Sequence, residues 1–256
     1  MERGIIEADP RHTARRIRTS IQGNVIRALV ELITNADDSY VRLEHEGKQH
    51  QGVIEILYQK EGYCGLFAVR DQAEGMSIED VRNGFKKYGA ATSGMKTGKR
   101  VRGYFGQGGK DALASMLDGR ICTFKDDQFT ECRLFIENGN PMYEISGSIP
   151  ANRKLRDVHK IYGDGTVAYF KADPQPTRRV PQLNTVQEEV ANNYLLRKIM
   201  TNPERRINLV CEDMGESRPL RYRMPAGKEI LWDDFTVSYM VHTVISQLIS
   251  LSCVRR

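Results

Sequence analysis

The feature that most constrains this chain is residues 23–44, GNVIRALVELITNADDSYVRLE. After Gly23–Asn24 the stretch is free of proline and predicts one long helix. Val25, Ile26, Ala28, Leu29, Val30, Leu32, Ile33 and Ala36 take up most of its circumference. A helix apolar on nearly every side belongs in a core. One stripe is polar. Glu31, Asn35 and Asp38 follow one another at spacings of four and three, so they stack on one face; Arg27 and Arg42 extend the stripe in either direction. Most such stripes are the wet face of a core helix. This one has an acid–amide–acid centre, without the Lys/Glu mix of a solvated face. It also sits mid-helix, away from the ends where Asp and Asn act as caps. A carboxylate beside an amide oxygen can hold a hard cation such as magnesium and activate a water. That chemistry requires a phosphate cradle elsewhere in the chain.

The segment Gly103-Tyr104-Phe105-Gly106-Gln107-Gly108-Gly109-Lys110 is the candidate cradle, opening a helix predicted over 110–117. Glycines let backbone N–H groups approach an anion, and a helix start favours negative charge. The segment is not a P-loop, because Asp111 follows Lys110 where Ser or Thr is required; nor does it complete a dinucleotide fingerprint. On its own it reads equally well as a loop with accidental glycines. Asp71 closes a predicted strand and precedes a turn containing Gly75. Strand ends carry binding carboxylates, and they also carry ordinary Asx turns.

Strands are predicted at 53–58, 65–70, 119–124, 129–136, 142–149, 166–171, 206–212 and 218–223. Further helices are predicted at 11–21, from the Ser77 cap to about Phe85, and at 184–200. Residues 86–109, rich in Gly, Lys, Ser and Thr, read as a long functional or mobile loop, and 151–165 as a basic loop with Arg153, Lys154, Arg156 and Lys160. The tail from Phe235 repeats Val237, Val241, Val244, Leu248 and Leu251 near helical spacing. The expected class is α/β (α+β): a two-layer sandwich whose mixed, largely antiparallel sheet is covered on one face by helices. The expected division is a core at 1–172, its C-terminal part at 173–215, and the start of a following segment at 216–256.

Five cysteines without a C-x-x-C pair argue against a disulfide scaffold or zinc site and for an intracellular, cytoplasmic setting. No apolar run approaches the roughly 20 residues of a membrane span, and the N-terminus lacks a signal-peptide core. A net charge of +5 spread over short clusters such as Arg15–Arg16–Arg18 reads as solvated surface, with nucleic-acid contact as the alternative.

Four motifs fall in a recognisable order: Glu31-Leu-Ile-Thr-Asn35-Ala-Asp-Asp38, Asp71-Gln-Ala-Glu-Gly75-Met76, Gly103-Tyr-Phe-Gly106-Gln-Gly108, and Gly165-Thr166. Together they resemble the GHKL ATPase superfamily, which includes DNA gyrase, the heat-shock chaperone ATPases, histidine kinases, MutL and the MORC proteins. The likeness covers about the first 210 residues. It implies a Bergerat-type sandwich binding ATP with magnesium. Glu31 would be the general base and Asn35 the magnesium ligand, with Asp38 a nucleotide-pocket residue. Asp71 would accept the adenine amino group, with Gly75 and Met76 lining the adenine pocket. Gly103, Phe105, Gly106, Gln107 and Gly108 would form the phosphate loop, and Thr166 would support Asp71 through a hydrogen bond or a water.

The family pattern D-x-G-x-G departs here at Ala73, whose methyl would crowd the turn or the adenine. Both acids of the stripe and the lack of a phosphoacceptor helix favour the hydrolytic, chaperone- or MORC-like branch. The implied activity is ATP hydrolysis to ADP coupled to lid closure, with a homodimer formed by nucleotide-dependent association. The alternative is a regulatory module that binds nucleotide and turns over little.

Overall fold

The apolar stretch at the head of the sequence forms a 21-residue helix, Val25–His45 (α2), preceded by Pro10–Ile21 (α1). The computed structural model describes residues 10–61, 63–86, 108–172 and 180–224. Asn24 starts α2: its side chain accepts from the Arg27 amide, satisfying one of the donors that a helix start leaves unpaired.

Against α2 lies one sheet of eight strands: β1 Val53–Glu61, β2 Cys64–Asp71, β3 Asp118–Lys125, β4 Gln128–Glu137, β5 Asn140–Pro150, β6 Gly165–Ala172, β7 Arg206–Cys211 and β8 Glu216–Leu220. Their spatial order is β5-β4-β3-β6-β2-β1-β7-β8. All neighbours pair antiparallel except β1 and β7, which are parallel. The remaining helices are α3 Ile78–Lys86, α4 Gly108–Ala114, α5 Arg153–His159, α6 Leu183–Ala191 and α7 Arg197–Met200.

Strand side chains alternate between faces, and both faces carry apolar residues. Ile54, Ile56, Phe67, Val69, Ile121 and Phe170 point toward the helices and join Leu29, Ile33 and Leu113 in the main core. Each such side chain, fully buried, contributes roughly 1.5–3 kcal/mol. On the opposite face Ala68, Cys122, Phe124, Phe129 and Val167 form a smaller core closed by Leu155 and Ile161.

That second core corrects two expectations. Residues 151–165 are not all loop, because Asn152 caps α5 by accepting from the Leu155 amide. The helices are also not confined to one face, since Leu155 of α5 packs on the other. The helix predicted over 184–200 is interrupted as well. Asn193 caps a separate 3-10 turn through the Leu195 amide, so α6 stops at Ala191 and α7 starts at Arg197. Among the described residues no helix is long and apolar enough to cross a membrane.

Candidate functional site

Three neighbouring strands set a polar row into the helix-facing side of the sheet. Thr123 of β3 lies opposite Thr166 of β6, and Thr166 lies opposite Asp71 of β2. Thr123 is fully buried. Its hydroxyl accepts from the Met76 amide at 2.8 Å, and it lies 3.2 Å from Thr166 Oγ1 and 3.3 Å from the Gly165 carbonyl. The hydroxyl therefore ties the loop after β2 to the centre of the sheet.

Asp71 is buried at the end of β2, 6% exposed. One carboxylate oxygen accepts from the Ala73 amide at 3.0 Å. Burial pushes its pKa up to about 7; the Ala73 and Thr166 amides and the nearby Arg42 guanidinium pull downward, and the Glu74 carboxylate pushes further up.

The loop carrying Gln72 to Ser77 is held on several sides. Tyr40 of α2 accepts from the Gln72 amide at 3.0 Å and donates to the Val53 carbonyl at 2.7 Å. Arg42 pairs with Glu74, and Lys125 donates to the Glu74 carbonyl at 2.7 Å. Ser77 caps α3 by accepting from the Asp80 amide. Gly75 has φ +60, and a Cβ there would lie 1.9 Å from the Phe124 carbonyl oxygen. Only glycine allows the chain to pass β3 so closely. Ala73 is not among the residues with positive φ, and its methyl is buried in the main core. The turn therefore places no demand for glycine at that position. Met76 packs, partly buried, against the same core.

The α2 stripe meets the end of the glycine segment. A Cβ on Gly108 would lie 1.9 Å from Glu31 Oε2, and one on Gly109 would lie 2.6 Å from Asn35 Nδ2. Two glycines thus let the start of α4 rest directly on the acid and the amide. Glu31 is half-buried, Asn35 exposed and Asp38 buried. Burial raises the Glu31 pKa, and the charge of Asp111 on α4 raises it further. Lys110 is buried beside the Phe85 ring, and burial lowers its pKa.

Gly103, Phe105, Gly106 and Gln107, and most of the lid expected over 86–109, lie outside the described residues. The sequence singles out Glu31, Asn35, Asp38, Asp71, Gly75, Met76, Gly108 and Thr166, which lie in the row, its loop, the stripe or the start of α4 that meets the stripe. It does not single out Thr123, Tyr40 and Lys125. A threonine at a core-facing position of an apolar strand was the one available signal for Thr123. Tyr40 and Lys125 carried none. A cavity of about 290 Å³ lined by Gln187, Ala191, Leu220 and Arg223 shares no residue with this site. No family model matches the chain, and no curated protein does.

Proposed function

We propose that this chain is a magnesium-dependent ATP-binding and ATP-hydrolysing domain of the GHKL, Bergerat-fold kind, whose lid closure drives a conformational or dimerisation cycle. The observation that carries this reading is the contact of Gly108 and Gly109 with Glu31 and Asn35. Two motifs more than seventy positions apart in the sequence meet at a point where the start of α4, a carboxylate and a side-chain amide come together.

The residues suit the ligand. Asp71 is buried, and above its raised pKa of about 7 its carboxylate only accepts hydrogen bonds, which matches a base amino group. Asn35 offers a hard oxygen, and magnesium bound through phosphates needs only one or two protein ligands. When bound, magnesium would neutralise phosphate charge and ATP would supply the bond that is broken. Glu31 would orient and deprotonate the attacking water. Its raised pKa brings it nearer to neutrality, which strengthens it as a proton acceptor while it remains ionised. Gly108 and Gly109 let the start of α4 come close to Glu31 and Asn35, beside which the phosphates would lie. Tyr40 and Thr123 hold the loop beside Asp71 in place.

The test is calorimetry with ATP, with and without magnesium, together with a phosphate-release assay on Glu31→Ala. We expect binding to survive and turnover to fall on the order of 10²–10⁴-fold. Equal turnover in the variant rules out the base, and no binding by the wild type rules out the ATP reading.

A further inference from the structure

We propose that Arg27 contacts the terminal phosphate of bound ATP, so that the chain carries a γ-phosphate cation of its own one helical turn before its base. The inference rests on the ATP reading above and adds to it the residue that would tell ATP from ADP.

Helix α2 acts as a ruler along the site. At its C-terminal half, Tyr40 is bonded to the Gln72 amide and Arg42 is paired with Glu74, which marks the Asp71 end. Further back, Asn35 lies against Gly109, and Glu31 lies against Gly108. Each step of four residues along the stripe is about 6 Å of helix rise. A nucleotide whose base sits at Asp71 runs its phosphates toward Asn35 and Glu31. The last phosphate must lie beside Glu31, because a base acts on a water in hydrogen-bond reach. Arg27 is the next residue on the same face.

Three further observations point to this role. Arg27 is exposed, and among the described residues its side chain makes no hydrogen bond or ion pair. Its guanidinium is thus uncommitted, whereas Arg42 is taken by Glu74 and Arg205 by Asp37 and Glu44. Secondly, Arg27 and Glu31 have the spacing of a helical ion pair and do not make one, so the base stays untethered. Thirdly, Arg27 stands in the first turn of α2, where no acidic residue accompanies it. A cation there opposes the helix dipole. The same dipole and the guanidinium act together on an anion, and residues that break a local rule concentrate at functional sites.

The experiment is calorimetry of magnesium-ATP and magnesium-ADP binding to the full chain in a Glu31→Gln background, which suppresses turnover. Arg27→Ala should weaken ATP binding roughly ten- to a hundredfold, the range of one lost charge-assisted hydrogen bond, and leave ADP binding little changed. Arg27→Lys should recover part of the loss, since a point charge keeps the attraction without the bidentate fork. An equal loss for both nucleotides, or no loss for either, overturns the inference while the ATP reading stands. A parent protein that binds neither nucleotide overturns both. If Arg27→Ala unfolds without nucleotide, the ATP-to-ADP affinity ratio of Arg27→Gln and Arg27→Lys decides in the same way.

Discussion

Two buried carboxylates, one on α2 and one beside it, are treated in opposite ways. Asp37 is 2% exposed and meets Arg205 at 2.6 Å. The Arg205 side chain is wholly buried, binds Glu44 as well at 2.6 Å, and lies 5.2 Å from the centre of the Tyr40 ring. Asp71 is nearly as buried and has no such clamp. It accepts from an amide of its own loop, and the nearest guanidinium, Arg42, is engaged by Glu74. A buried charge costs several kcal/mol unless it is paired. Asp37 is compensated within the fold and so serves structure. Asp71 is compensated in part, and the remainder shows as its raised pKa.

The largest test of this contrast is Arg205→Ala. It strands Asp37 and Glu44, and should cost about 3–5 kcal/mol in chemical denaturation. Asp71→Asn in the same assay at pH 8 should cost nothing. A loss from Arg205→Ala of under about 1 kcal/mol, as for a surface pair, would remove the contrast.

Next in size is pH dependence. The Asp71 pKa is raised from 3.8 to about 7 in the folded protein, so the folded state holds the proton more tightly than the unfolded one. The associated stability is fully present below pH 3.8 and is lost as pH rises through about 7. It amounts to up to about 4 kcal/mol. Glu44 and Asp118 are shifted down by arginine partners and act oppositely, losing their contribution as pH falls. The difference between wild type and Asp71→Asn isolates Asp71. The variant should be the more stable of the two at pH 8, and parallel curves across this window would contradict the assignment.

A smaller effect concerns the ligand. An ionised Asp71 only accepts hydrogen bonds, so it suits the adenine amino group and opposes the guanine carbonyl. Competition at pH 8 should favour ATP over GTP by about 1–3 kcal/mol, and Asp71→Asn should weaken ATP binding sharply. GTP competing as well as ATP would remove the recognition role.

The smallest expected effect is at Thr123. Thr123→Val leaves the Met76 amide without its acceptor, at about 1 kcal/mol of stability, with weaker nucleotide binding. Thr123→Ser should restore both. Failure of serine to restore them would assign the effect to the lost methyl.

Much of this organisation was legible in the residues, for identifiable reasons. The eight strands announce themselves by short β-branched and aromatic runs between turn residues, as in VIEILY before β1's turn. The stripe is legible because helical spacing is local. Helix α5 escaped notice because it buries none of its residues fully and is strongly basic, so no apolar period marks it. The break between α6 and α7 depends on one asparagine side chain choosing to cap. Gly75 was recognised as special, but the neighbour that requires it, the Phe124 carbonyl, comes from a strand almost fifty positions later. Tyr40 and Arg205 also act through partners distant in the chain, Gln72 and Asp37, and nothing in their immediate neighbours marks them.

The single parallel pairing has a consequence for how the protein is made. β1 pairs with β2 at once through a hairpin, yet its other edge waits for β7, with Val53 opposite Arg206. A growing chain therefore carries an open, apolar strand edge through the synthesis of everything between. Such an edge is a template for pairing with another nascent chain. Arg205, immediately before β7, reaches Asp37 and Glu44 of a helix synthesised long before. Closure of the β1 edge and pairing of those two acids thus both depend on the same late stretch of chain, residues 205–211.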